Sequence, residues 1–284
     1  MAGPADLAAA RSLLFAPGSE PRMLAKALAS GADAVIADLE DAVAPSHKAA
    51  AREAVAAAFA PDAGGGPAVR LVRVNGADTP LLEDDLAALR GVAVDGLVLP
   101  KATPEALAYV GPTGPSVVAI VETAAGLQRA AETATHPRVA ALVLGAVDLA
   151  VELRLEPRPD GLELLHARSR LVLDSAAAGI RGPIDAVFLD VRDAAGLEAE
   201  ARLARSLGMR GKACVHPGQV EPVNRAFSAS AEELEHAREV VDAYAAAVAE
   251  GRGAVAVRGR MVDVPVVERA REILAAAGEP ARAS

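Results

Sequence analysis

Tryptophan is absent from this chain of 284 residues, and only four phenylalanines and two tyrosines occur. A surface for single-stranded nucleic acid needs aromatic platforms on which bases stack, so that class of function is not expected. With 52% of residues hydrophobic, a large core is available, but it must be built from Ala, Val and Leu. Such small side chains suit close packing of helices on a sheet. Cys214 is the sole cysteine, so no intrachain disulfide is possible, and one thiol alone makes no zinc site. Its neighbours Ala213 and Val215 are apolar, which marks it as a buried strand residue.

Positive charge is also short. The formal net charge is −9, which opposes non-specific binding to phosphate backbones. A phosphate-bearing thioester carrier would need a local basic patch on an acidic protein. No apolar run approaches the ~20 residues that span a bilayer. Residues Met1–Ala10 lack the basic segment and apolar core of a secretory signal. The expected protein is cytoplasmic and has no membrane or nucleic-acid partner.

What the chain does contain is a regular alternation of short apolar runs and Ala-rich helical segments. The runs are Ser12–Gly18, Ala34–Asp41, Val69–Asn75, Gly96–Lys101, Val117–Thr123, Val139–Gly145, Ala186–Leu189 and Ala213–Val215. Helices are predicted between them, including Pro21–Ser30, His47–Ala60, Leu81–Leu89, Leu162–Ala178 and Ala194–Leu207. Thr103 precedes Pro104, an N-cap followed by proline at the first helical position. The Gly-rich stretch Pro61–Pro67 reads as a surface loop.

Continuous apolar strands are those of a sheet covered on both faces. Eight strand–helix units within ~220 residues predict a (β/α)8 TIM barrel. A doubly wound open sheet is disfavoured, because no glycine-rich phosphate fingerprint follows the first strand. We assign 11–227 to the barrel domain and 228–284 to a C-terminal helical extension. The extension holds a helix over Glu232–Glu250, an extended piece over Ala254–Val264 and a last helix over Pro265–Ala277.

Active sites of such barrels lie at the carboxyl ends of the strands. Reading off those ends gives Asp38, Glu40 and Asp41, Arg73 and Asn75, Lys101, Glu122, Asp148 and His216. Glu122 and Asp148 follow neighbouring strands, which lie about 4.8 Å apart. Two such carboxylates can share one hard cation such as Mg²⁺. The plainer alternative has Asp148 capping a helix and Glu122 paired with an arginine. By period-two alternation Leu71, Arg73 and Asn75 share one face of their strand. Arg73 can grip a carboxylate or an enolate, and equally an ion pair with Asp38 or Glu40. Lys101 reads as an ion-pair partner, and His216 as a base or a loop-orienting residue.

Read in order, Leu14–Phe15–Ala16–Pro17–Gly18, Asp38–Leu39–Glu40–Asp41, Arg73–Val74–Asn75, Leu99–Pro100–Lys101, Val121–Glu122–Thr123, Gly145 with Asp148–Leu149, His216–Pro217–Gly218–Gln219 and Gly259–Arg260–Met261–Val262–Asp263 resemble the HpcH/HpaI aldolase–citrate lyase family. The likeness is to its citrate lyase beta-subunit-like branch, which includes malyl-CoA and citramalyl-CoA lyases. It runs from about Arg11 to Leu274.

The resemblance implies Mg²⁺ on Glu122 and Asp148, with Arg73 and Glu122 touching the substrate. It implies Asp263 as an acid/base supplied by a neighbouring subunit in a homotrimer or homohexamer. Arg22 and Lys26 resemble positions that touch coenzyme A phosphates, and are as ordinary as solvated helix charges. The implied partners are an acyl-CoA and a 2-oxo acid, joined or cleaved at a carbon–carbon bond. Thioester hydrolysis on the same site, or coenzyme A ester binding without turnover, are the alternatives. Many relatives carry Glu where this chain has Val147, beside Asp148.

Overall fold

The computed structural model describes residues 4–60 and 68–279, so the loop predicted over Pro61–Pro67 lies outside the described residues. By contacts the chain divides into two compact units, Met1–Phe227 and Ser228–Ser284.

In the first unit eight parallel strands close into a barrel in the order of the chain. They are β1 (Ser12–Pro17), β2 (Ala34–Asp38), β3 (Val69–Arg73), β4 (Gly96–Leu99), β5 (Ser116–Val121), β6 (Val139–Leu144), β7 (Ile184–Asp185) and β8 (Gly211–Cys214). Strand β1 pairs with β8 as well as β2, which closes the ring. The TIM-barrel expectation holds.

Around the ring run α1 (Pro4–Ala9), α2 (Pro21–Leu28), α3 (Lys48–Ala58), α4 (Leu81–Ala88), α5 (Pro104–Val110), α6 (Ala124–Gln128), α7 (Ala130–Ala134), α8 (Ala146–Leu153), α9 (Leu165–Ala178), α10 (Ala194–Ser206) and α11 (Val220–Phe227). Thr103 caps α5 as its sequence suggests, its hydroxyl accepting from the Ala106 amide at 3.2 Å. No described helix is long and apolar enough to cross a membrane.

Alternation along the strands sorts the side chains into two layers. Leu13, Ala34, Ile36, Leu71, Val98, Val118, Ile120, Ala141, Val143 and Ile184 fill the barrel interior. Their odd neighbours, among them Val35, Val72, Leu99, Ala119, Leu142 and Cys214, pack outward under the helices. Cys214 is fully buried there, and burial pushes its thiol up to about 12, as befits an inert core residue.

The seventh strand is not where the apolar run places it. The ladder uses Ile184 and Asp185, and the run Ala186–Leu189 follows it, with Leu189 largely exposed. A charged residue reads as a strand end, but Asp185 is buried because it bonds Arg168 of α9 at 2.8 Å and Lys212 of β8 at 2.7 Å. Burying those charges is tolerable only because each finds a partner.

The second unit has its own small core. Helix α12 (Ala231–Ala249) packs on α13 (Val264–Ala276) and on a hairpin of β9 (Val255–Val257) and β10 (Arg260–Val262). Ala237, Val240, Val241, Val257, Val262, Val267, Ala270 and Leu274 form that core.

Candidate active site

The site follows from the inward series. Asp38 continues Ala34 and Ile36 on β2, and Arg73 continues Val69 and Leu71 on β3. Glu122 continues Val118 and Ile120 one residue past β5. All three therefore stand on the interior core at the carboxyl ends of their strands.

Asp38 and Arg73 are register partners across β2 and β3. Arg73 Nε and Nη2 donate to the two Asp38 oxygens at 2.7 and 2.6 Å. This is the bidentate fork that favours arginine over lysine. The third nitrogen, Nη1, lies 2.9 Å from Glu40 and 3.4 Å from Asp41, and the guanidinium sits 5.1 Å over the Phe15 ring. Burial works against the Arg73 charge, but Asp38, Glu40 and Asp41 outweigh it and raise its pKa. Of the two roles open to Arg73, the ion pair with Asp38 is made, and a ligand could be met only by Nη1, which also donates to Asp41 at 3.4 Å.

Glu122 is 5% exposed, with Oε1 accepting from the Lys101 amide at 2.7 Å. Lys101 presents that amide from a left-handed conformation, φ 47°. Such a conformation costs about 1–3 kcal/mol for a non-glycine residue and is concentrated at functional sites. Its ammonium lies 3.4 Å from Asp78, the ion pair expected of it. Among the described residues no arginine hydrogen bonds Glu122. Its other oxygen lies over Gly145, where an added Cβ would come within 2.7 Å of Oε2 and 2.3 Å of the Glu122 Cβ. Gly145 thus lets the start of α8 pack directly against Glu122.

Asp148 stands in the first turn of α8, three residues past Gly145, and caps nothing. It is exposed. Its charge reaches Glu122, whose carboxyl is pushed up to about 7 by burial first and by Asp148 and Asp41 in addition, against the Lys101 amide and Arg73.

Sequence reasoning missed the frame beneath this site. Lys48 of α3, 7% exposed, donates from Nζ to the carbonyls of Leu39 and Glu40, each at 2.6 Å, and to Asn75 Oδ1 at 2.8 Å. Asn75 in turn donates to Asp85 of α4, which Arg52 of α3 also holds at 2.7 Å. Strand β3 ends at Arg73, so the alternation that put Asn75 beside Arg73 stops there. Asn75 instead ties the loop after β2 to the outer helices. A lysine at the first position of a surface-facing helix gives no sequence sign of burial.

His216 is exposed and its Nδ1 accepts from the Gly218 amide at 3.0 Å. Gln219 accepts from the Val215 and His216 amides and donates to the Phe188 carbonyl at 2.7 Å. His216 therefore orients its loop. Arg22 and Lys26 are exposed, one helical turn apart on α2. Asp263 belongs to the second unit, at the N-cap position of α13, and its side chain makes no capping hydrogen bond.

A closed (β/α)8 barrel with an arginine and an acidic cluster at its mouth is the class of protein defined here. The profile of the HpcH/HpaI aldolase/citrate lyase family matches residues 11–110 and 112–217, and the chain belongs to that family. It is 40% identical over 271 residues to a (3S)-malyl-CoA thioesterase of Cereibacter sphaeroides, covering 94% of each chain. It is 41% identical over 278 residues to a citrate lyase subunit beta-like protein of Mycobacterium tuberculosis, covering 96% of this chain and 97% of that one. The crystal structure of the protein CitE from M. tuberculosis in complex with magnesium, acetoacetate and coenzyme A superposes with a TM-score of 0.82 at 40% identity. It covers 96% of this chain and 100% of that one.

Proposed function

We propose that the chain is a Mg²⁺-dependent carbon–carbon lyase that cleaves a 3-hydroxyacyl-CoA, such as malyl-CoA or citramalyl-CoA, into an acyl-CoA and a 2-oxo acid, or condenses them. The observation that carries this reading is the placement of Glu122. It is inward-facing, fixed through Oε1, packed against Gly145, and near enough to Asp148 for that charge to raise its pKa.

Two carboxylates suit the ion. Among the described residues no group of three or more His, Cys, Asp or Glu could hold a metal. Mg²⁺ does not need one, since it commonly takes one or two carboxylates and keeps positions for water and substrate. Glu122 and Asp148 would hold it, and when bound it would polarise the oxygens of the 2-oxo acid or 3-hydroxyacyl group. Negative charge from Asp41 and Asp148, which both push on Glu122, also favours a cation there.

Arg73 presents Nη1 to the reacting oxygens, a donor of a kind worth about 3–4 kcal/mol when aimed at a developing oxyanion. Asp263 exchanges the proton of the acyl-CoA carbon, from the C-terminal segment of a second copy in a homotrimer or homohexamer. Its flanking Met261 and Val264 are exposed apolar residues, suited to being covered in such an assembly. Arg22 and Lys26 meet the coenzyme A phosphates. In this reading residues 11–227 are the catalytic domain and 228–284 the lid.

Hydrolysis of the thioester on the same site is the second reading, favoured by the 40% identity to a (3S)-malyl-CoA thioesterase. Incubation with (3S)-malyl-CoA and Mg²⁺ separates them. Glyoxylate with acetyl-CoA identifies the lyase. Malate with free coenzyme A identifies the hydrolase and overturns the lyase reading.

A further inference from the structure

We propose that Glu40 is a further catalytic residue of the lyase, taking the proton of the substrate's 3-hydroxyl as the carbon–carbon bond breaks and returning it during condensation. This rests on the lyase reading above. Glu40 lies two residues beyond β2 and is 8% exposed, and its Oε2 is buried with no hydrogen-bond partner. Arg73 Nη1 approaches that oxygen to 2.9 Å but is not aligned to donate to it.

The arrangement is not what charge neutralisation alone calls for. Arg73 already has a complete bidentate partner in Asp38, so a second buried carboxyl beside it carries a burial cost that its attraction to Arg73 does not offset. Its backbone is held as a reactive group's would be. The Glu40 amide donates to Asp38 Oδ1 at 2.8 Å, and its carbonyl accepts from Lys48 Nζ at 2.6 Å. What is left both buried and without a donor is Oε2, beside the Nη1 edge of Arg73. A substrate hydroxyl that took the place of Nη1 against Oε2 would supply the donor that this oxygen lacks.

The balance of the step is simple. The hydroxyl proton passes to Glu40, and its O–H electron pair becomes the second bond of the 2-oxo acid carbonyl. The C2–C3 bond pair moves onto the acyl-thioester, giving its enolate, which takes a proton at carbon from Asp263.

Glu40 is also able to carry a proton near neutral pH. Burial, opposed by Arg73 and reinforced by Asp41, Glu122 and Asp38, pushes it up to about 8, while Lys48 and Lys101 are the other charges that reach it. Proton-transfer groups work best with a pKa near the working pH.

The test compares the wild type, Glu40→Gln and Glu40→Asp with (3S)-malyl-CoA, following glyoxylate release, its pH profile and Mg²⁺ affinity by calorimetry. Under the proposal Glu40→Gln lowers kcat by about 100-fold or more. KM and Mg²⁺ affinity stay within about threefold, one limb of the pH profile disappears, and Glu40→Asp recovers at least about tenfold of the loss. A Glu40→Gln kcat within about fivefold of wild type overturns it. So does a loss matched by lost Mg²⁺ affinity, or by unfolding that Glu40→Asp shares. A wild type that releases no glyoxylate overturns the lyase reading itself, before any variant is compared.

Discussion

Arg73 commits Nε and Nη2 to Asp38, at 2.7 and 2.6 Å, so the guanidinium cannot swivel and only Nη1 faces the site. Asp38 also accepts from the amides of Glu40 and Ala42, at 2.8 and 3.1 Å, so one carboxylate holds both the arginine and the loop after β2. Asp38→Asn keeps the shape but supplies an NH2 where an acceptor is needed. Removing one partner of a buried pair costs about 3–5 kcal/mol, less here because Glu40 and Asp41 still face Arg73. We expect a lower melting temperature and a kcat reduced about 100-fold, with KM changed far less, because orientation rather than affinity is lost. Steady-state kinetics and a thermal melt check both; an unchanged kcat removes Asp38 from the positioning role.

Gly145 has φ −90°, a conformation that alanine adopts freely, so Gly145→Ala tests space and not backbone. The new methyl would meet Glu122 Cβ at 2.3 Å, its Oε2 at 2.7 Å and the Ile120 side chain at 2.9 Å. Cβ is no flexible end, so the backbone that carries Glu122 must shift, an overpacking that costs about 1–3 kcal/mol. Mg²⁺ affinity, read by calorimetry, should fall by at least about tenfold while the barrel stays folded. Undiminished affinity would mean that the ion, if bound, does not use Glu122.

Much of this was legible in the sequence because the barrel makes its signals periodic. Apolar strands that turn polar at one end mark both the barrel and its mouth, and that pattern placed Asp38, Arg73 and Glu122 correctly. What it hid was buried charge. Asp185 made β7 look displaced toward Ala186–Leu189, and Lys48 and Asn75 gave no hint that they brace the loop under Glu40. Nor does spacing reveal that Asp148 lies on a helix rather than at a strand end, or which oxygen of Glu40 goes unbonded. Those depend on where the alternation stops, which register fixes and composition does not.

Stability of the metal-free protein should decline toward alkaline pH. Glu40 is pushed up to about 8 and Glu122 to about 7 from an ordinary 4.5, burial being the main cause in both. Between those values the folded state holds more protons than the unfolded state. The contribution is therefore fully present below about 4.5 and is lost as pH rises through 7 and 8. Thermal melts in the presence of a chelator should show the melting temperature dropping from pH 6 to pH 9, by about 2–4 °C for each kcal/mol involved. Glu40→Gln and Glu122→Gln should each flatten that slope. A wild-type slope that both variants leave unaltered would place the responsible groups elsewhere.

Asp148 is exposed and makes no capping bond, so Asp148→Ala should change folding stability by no more than about 0.5 kcal/mol. As one of two proposed ligands, its loss should nonetheless abolish Mg²⁺-dependent turnover. Calorimetric titration with Mg²⁺ alone reads the binding directly. Turnover that persists at wild-type level ends the metal assignment.

Asp263 occupies the N-cap position of α13 without capping it, so its carboxylate is not serving the helix that it begins. Asparagine is as good a residue for that position, and Asp263→Asn should leave the second unit folded. Its acid–base capacity is gone, so kcat should fall by about 100- to 10,000-fold while acetyl-CoA affinity is retained. Whether the group comes from another copy is settled by mixing. Asp263→Asn and Glu122→Gln, each inactive alone, should regain activity when co-assembled, because some sites then combine an intact Glu122 with an intact Asp263 from the partner. Recovery absent in proven mixed assemblies would place Asp263 on its own chain's site, and equal losses of kcat and coenzyme A affinity would reduce it to a binding element.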